Sequence, residues 1–204
     1  MSVHFFEISS QGPRPWGLAE EVIVNAFGHY RDDSTGVLHI RRTGPVSPPL
    51  TDLGSSGLVV TSAFKEWLLT EELGRFEFRP VVKEQIVKMD WHLWDEASDI
   101  DIPMNEMGEA YLMSLPHSEE ASNELGDLWE WIIEPGAILD LDIPRSRWVH
   151  HRRIHFDTWN GMPIFCAKLQ HGRGDGFPIA TDDAKDRILR AWPNYWCFEP
   201  CTVL

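Results

Sequence analysis

An α+β fold with mixed or antiparallel sheets and about three helices is predicted by three features of the sequence. Short apolar runs bounded by Gly and Pro recur along the chain and read as strands. Three stretches instead carry helical spacing behind a capping residue. Two of these helical stretches sit inside strand–helix–strand units that resemble each other.

Taken in order, residues 1–56 hold strand candidates at Val22–Val24 and Val37–Ile40, with loop signals at Thr43-Gly44-Pro45 and Ser47-Pro48-Pro49. Leu58-Val59-Val60 reads as a short buried strand. Thr61 or Ser62 caps the following helix, because a side-chain oxygen there accepts an orphan amide hydrogen bond. Phe64, Trp67, Leu68 and Leu69 supply its apolar contacts, and Gly74 is a natural stop. Phe76-Glu77-Phe78-Arg79 alternates like a half-buried strand and ends at Pro80, and Val81–Met89 is a further strand candidate.

The C-terminal stretch follows the same plan. Pro178-Ile179-Ala180 precedes Thr181 as cap, with Asp182 and Asp183 in the first helical turn. Ala184, Ile188 and Trp192 line one face, Arg187 and Arg190 fall late where the helix dipole favours cations, and Pro193 ends the helix. Trp196-Cys197-Phe198-Glu199-Pro200 then mirrors Phe76–Pro80. Between the two units, Ala110–Met113 and Ala137–Leu139 are short strand candidates. Trp148–Asp157 and Pro163–Leu169 flank Asn160-Gly161, a strong hairpin signal. Ser118–Glu134 reads as an amphipathic helix capped by Ser118 and stopped by Pro135-Gly136, with Trp131 at the edge of its apolar stripe.

Length and composition fit one globular domain, with two subdomains at about 1–88 and 89–204 as the other division. Three cysteines, an odd number, do not suggest a disulfide framework. No apolar run is long enough for a membrane helix, and no basic region precedes an apolar one at the N-terminus. The expected location is the cytoplasm.

Charge is the most informative property. The window Met89–Pro144 holds 15 acids and no Lys or Arg, out of 32 acids and 18 bases in the chain. Removing the window leaves 17 acids against 18 bases, so the net charge of −14 belongs to this one block. Such acidity disfavours nucleic acid and anionic membranes and favours a cationic protein partner. The window also holds Trp91, Trp94, Trp129 and Trp131. The candidate partner-binding residues are Trp91, Trp94, Asp95, Glu96, Asp99, Glu120, Glu124, Asp127, Glu130 and Trp131. Acids steer a cationic partner and indoles anchor it. The plainer reading of the same residues is a solvated acid face over core tryptophans.

Catalytic signals are weaker. On a strand, His151, Arg153, His155 and Asp157 share one face, so His151, His155 and Asp157 are the alternative metal or hydrolase set. His117, Glu120 and Glu124 have helical ligand spacing but lack the paired His of a zinc protease. Gly172–Gly176 contains GxGxG without the strand and helix that a phosphate site needs. No cofactor is expected.

Leu58-Val59-Val60-Thr61-Ser62-Ala63-Phe64-Lys65, with Leu68-Leu69 and Phe76-Glu77-Phe78-Arg79-Pro80-Val81, resembles a family of bacterial immunity proteins encoded beside polymorphic toxins of contact-dependent and type VI secretion systems. The resemblance covers about 25 residues well and residues 178–204 loosely. It implies a cytoplasmic, non-enzymatic inhibitor that binds a cognate toxin one to one. The matched motif is structural, so it assigns no toxin-contacting residue.

Overall fold

Two threonines organise the fold, each ending a strand and capping a helix. The Thr61 hydroxyl accepts the Phe64 amide and the Thr181 hydroxyl accepts the Ala184 amide, satisfying amides that the first helical turn leaves open. The computed structural model describes residues 3–10, 27–43, 47–53, 57–88, 115–142, 151–170, 176–193 and 195–204. The strand candidates Val22–Val24 and Ala110–Met113 lie outside them.

The described elements in chain order are β1 (Phe5–Ser10), β2 (Phe27–Arg31), β3 (Leu38–Thr43), β4 (Leu50–Asp52), β5 (Leu58–Thr61), α1 (Ser62–Glu71), β6 (Phe76–Pro80) and β7 (Val82–Val87). There follow α2 (Glu119–Leu125), β8 (Leu128–Ile133), β9 (Pro135–Asp142), β10 (His151–His155), a 3₁₀ turn (Phe156–Thr158), β11 (Ile164–Leu169), β12 (Phe177–Thr181), α3 (Asp182–Ala191) and β13 (Trp196–Val203). The fold is α+β. Both strand–helix–strand units are present as expected. Among the described residues no helix is long and apolar enough to cross a membrane.

The residues fall into two compact units, each drawn from separated stretches of chain. One comprises Met1–Gln11, Glu66–Glu77 and Trp131–Leu204. It contains a closed barrel in the order β1-β12-β11-β9-β10-β13. The pairs β9–β11 and β10–β13 are parallel, whereas β1–β12, β1–β13, β9–β10 and β11–β12 are antiparallel. Its core gathers Phe5, Leu139, Ile154, Phe165 and Ile179. Phe5 meets Phe165 and Trp159 edge-on, with centroids at 5.6 and 5.1 Å, a geometry that the ring quadrupoles favour.

The other unit comprises Gly12–Lys65 and Phe78–Glu130. Its core gathers Leu38, Ile40, Leu53, Val59, Val81, Ile86, Ala121, Leu125 and Leu128. A three-stranded sheet runs β2-β3-β7, antiparallel and then parallel. The remaining sheet has the order β4-β5-β8-β6. There the Val81 amide donates to the Leu128 carbonyl at 3.0 Å.

Two local expectations are corrected. The helix expected over Ser118–Glu134 stops at Leu125, because Gly126 takes φ +69 and the chain leaves the helix there. Leu128-Trp129-Glu130-Trp131-Ile132-Ile133, rich in aromatic and β-branched residues, then forms β8. Pro135 stops no helix but begins β9, where a missing amide is tolerated. Asn160-Gly161 does turn the chain, with Gly161 at φ +82, yet β10 and β11 do not form a hairpin. β9 lies between them. The 3₁₀ turn and the inward Trp159, whose Nε1 donates to the Met162 carbonyl at 3.0 Å, lengthen the connection beyond a hairpin loop.

Candidate functional site

The described part of the acidic window begins at α2. Ser118 caps the helix by accepting the Ala121 amide at 3.2 Å. The Ser118 amide donates to the Ile86 carbonyl at 2.7 Å, and the Ile86 amide donates to His117 Nδ1 at 3.0 Å, so the segment is stitched to β7 at both residues. Ala121 and Leu125 point into the core. The opposite end is closed by a cation. Lys83 Nζ donates to the Ser122 carbonyl at 2.6 Å and the Gly126 carbonyl at 2.9 Å, satisfying acceptors that a helix end leaves open.

This anchoring turns the acids outward. Glu119, Glu120, Glu124 and Asp127 are all exposed. Glu120 faces Lys88 at 2.5 Å and Glu119 faces His117 at 3.7 Å, with both carboxylates in open solvent, where such pairs contribute little. Among the described residues, Glu124 and Asp127 have no cationic partner. The four carboxylates therefore form an outward negative surface held on a rigid support.

The other candidates separate from this surface. Glu130 is 6 % exposed and Trp131 is 3 % exposed, so neither meets a partner at the surface. The reason is the change from helix to strand at Gly126, which re-aims every side chain beyond it. Glu130 Oε1 accepts from Arg31 Nη2 at 2.6 Å and Oε2 from Nη1 at 3.2 Å. Trp131 packs edge-on against Phe76, with centroids at 5.4 Å. Trp129 is half-buried. Its Nε1 donates to Ser62 Oγ at 2.9 Å and Lys65 Nζ sits 3.1 Å from the ring centroid, a cation–π contact. Trp91, Trp94, Asp95, Glu96 and Asp99 lie outside the described residues.

The histidine strand is also rearranged. β10 ends at His155, and Asp157 falls in the exposed 3₁₀ turn, so the alternation that aligned His155 with Asp157 is broken. His155 Nε2 instead meets Asp140 Oδ2 at 2.8 Å, across the β9–β10 pair. The side chain of His151 lies outside the described residues. Among the described residues no group of three His, Cys, Asp or Glu side chains is placed to hold a metal ion.

Sequence reading missed one polar cluster altogether, on β2, β3 and β7. Tyr30, 42 % exposed, stacks on His39 with ring centroids 4.8 Å apart, and Arg41 lies 5.7 Å from the tyrosine ring centroid. The Tyr30 hydroxyl donates to Glu84 Oε1 at 3.3 Å, and Arg41 Nε donates to Glu84 Oε2 at 2.8 Å. The Arg41 hydrogen bond holds the Glu84 carboxyl below its usual pKa. Tyr30 and His39 are 9 residues apart, but Glu84 is 54 residues from Tyr30, so only the strand pairing reveals the carboxylate that joins them.

Comparison of the chain with protein-family models, with curated proteins and with solved structures finds no match.

Proposed function

We propose that this chain is an immunity protein that binds a cognate, cationic bacterial toxin and neutralises it by covering its surface. The observation that carries the reading is the outward acidic surface of α2 and Asp127, in a chain whose 58–81 segment resembles immunity proteins. Glu120, Glu124 and Asp127 supply the long-range attraction. Such fields raise association rates and fade with salt. Glu130 and Trp131 have a different job: Glu130 ties β8 to Arg31, and Trp131 packs on Phe76. Trp91, Trp94, Asp95, Glu96 and Asp99 remain candidate partner contacts on sequence grounds.

The test is to survey the neighbouring genes for a secreted toxin and to measure binding of its product. Glu124→Lys combined with Asp127→Lys is expected to slow association about tenfold at low salt and to flatten its salt dependence, with the circular dichroism unchanged. Unaltered association kinetics in that variant would remove α2 from the interface. Failure of the wild-type chain to bind any neighbouring toxin would remove the immunity reading itself.

A further inference from the structure

Each strand–helix–strand unit straddles a middle strand delivered from far along the chain. β5 and β6 enclose β8, and β12 and β13 enclose β1. The registers coincide. Thr61 faces Leu128 while Thr181 faces Phe5. Val81 bonds to Leu128 on the other side, and Cys201 faces Phe5. One alignment therefore places Leu128–Ile133 on Phe5–Ser10 and residues 58–83 on residues 178–203.

Features that have no part in fixing that alignment agree with it. The amides of Thr61 and Thr181 both donate to a proline carbonyl, of Pro49 and Pro163 respectively. Leu50 then pairs with Val60 as Ile164 pairs with Ala180. Burial along the two helices follows one pattern, with Phe64 and Leu68 matched by Ala184 and Ile188, and the exposed Leu69 matched by the exposed Leu189. Lys65 lies over Trp129 at 3.1 Å and Lys185 lies over Phe6 at 3.7 Å, and both lysines and both rings occupy matched positions.

The parallel pairs extend the match. His39 faces Val82 as Arg153 faces Thr202, and Ile40 faces Lys83 as Ile154 faces Val203. β3 thus corresponds to β10, and the antiparallel neighbours β2 and β9 correspond in turn. Within this match the middle strand of each unit carries a glutamate, Glu130 or Glu7, bound by an arginine. The arginines lie on opposite strands of the corresponding pair. In one unit Arg31 faces Leu38; in the other Leu141 faces Arg152. Residues that face each other across an antiparallel pair share a face, so either strand delivers the guanidinium to the same place.

We infer that the chain is a tandem pair of one structural unit whose copies have exchanged their leading strands. The first copy runs β1 to β7 and the second runs β8 to β13. β1 completes the second copy and β8 completes the first. Exchange of identical elements is a low-cost way to join two copies, and here the joined pair is one chain. Neither copy has a complete sheet of its own.

The transposed arginine gives the test. Arg152→Leu is expected to lower the urea unfolding midpoint. Adding Leu141→Arg, which converts the second copy to the arrangement of the first, is expected to restore at least half of that loss. A double variant no more stable than Arg152→Leu alone overturns the inference. If Arg152→Leu does not fold, the decision passes to Arg31→Leu with and without Leu38→Arg, read in the same way.

Discussion

Trp131→Ala separates the two roles that the acidic, tryptophan-rich window suggested. The indole is 3 % exposed and packs edge-on against Phe76 at 5.4 Å. Truncation removes the transfer free energy of a large aromatic side chain and leaves a hole that the surrounding strand only partly fills, a cost of about 3–5 kcal/mol. Urea denaturation slopes of about 2–3 kcal/mol per molar translate that into a midpoint lowered by roughly 1–2 M. Trp131→Phe, which keeps an aromatic ring against Phe76, costs less. The assay is urea unfolding followed by near-ultraviolet circular dichroism, together with association kinetics against the toxin under native conditions. Those kinetics are expected to be unchanged at temperatures where the variant is folded. A Trp131→Ala protein with an unmoved midpoint and lost binding would refute the interior placement and return this residue to the interface.

Two further predictions concern local geometry and pH. Gly126 pairs φ +69 with ψ −171, a region reached essentially by glycine alone, so Gly126→Ala is expected to cost about 1–3 kcal/mol in backbone strain although no atom lies within 4 Å of an added Cβ. Gly74→Ala is expected to cost more in the same urea unfolding assay, because its Cβ would lie 2.6 Å from the Ile164 carbonyl oxygen, and backbone cannot swing aside. In the β2–β3 turn, hydrogen bonds from the Ser34 hydroxyl and from the Thr35 and Ser34 amides lower the Asp32 carboxyl to about 2. Its folded pKa lies below its unfolded one, so the carboxylate stabilises the turn above the ordinary aspartate pKa, and that support is lost as pH falls towards 2. An NMR titration of the Asp32 side chain should show the low midpoint, and Asp32→Asn should remove the acid dependence of the turn in that window.

Much of the fold was legible because local chemistry agreed with the tertiary structure. Thr61 and Thr181 announce their helices by capping them, and Phe76–Pro80 and Trp196–Pro200 announce strands by composition. Beyond Gly126 the same kind of reasoning failed. Leu125, Leu128, Trp129 and Ile132 satisfy helical spacing almost as well as they satisfy a strand, and a single glycine at positive φ decides between them. The loss of Glu130 and Trp131 from the candidate surface follows directly from that one residue. Asn160-Gly161 marked a true turn, but pairing depends on β9, whose place between β10 and β11 no local signal specifies. The charge block carried its message only in part. Glu120, Glu124 and Asp127 face solvent, while Glu130 and Asp140 are engaged by Arg31 and His155, residues far away in sequence or across a strand pair. Net charge counts such groups equally and cannot tell a solvated carboxylate from a tethered one.

The barrel closes along a short parallel seam, where Arg153 and Ile154 of β10 face Thr202 and Val203 of β13. Two more hydrogen bonds finish it, from the Leu204 amide to the Ile154 carbonyl and from the Phe156 amide to the Leu204 carbonyl. Every other neighbouring pair in the ring shows a longer register, so this joint is expected to open early under strain. An affinity handle attached directly behind Leu204 would tug on that joint.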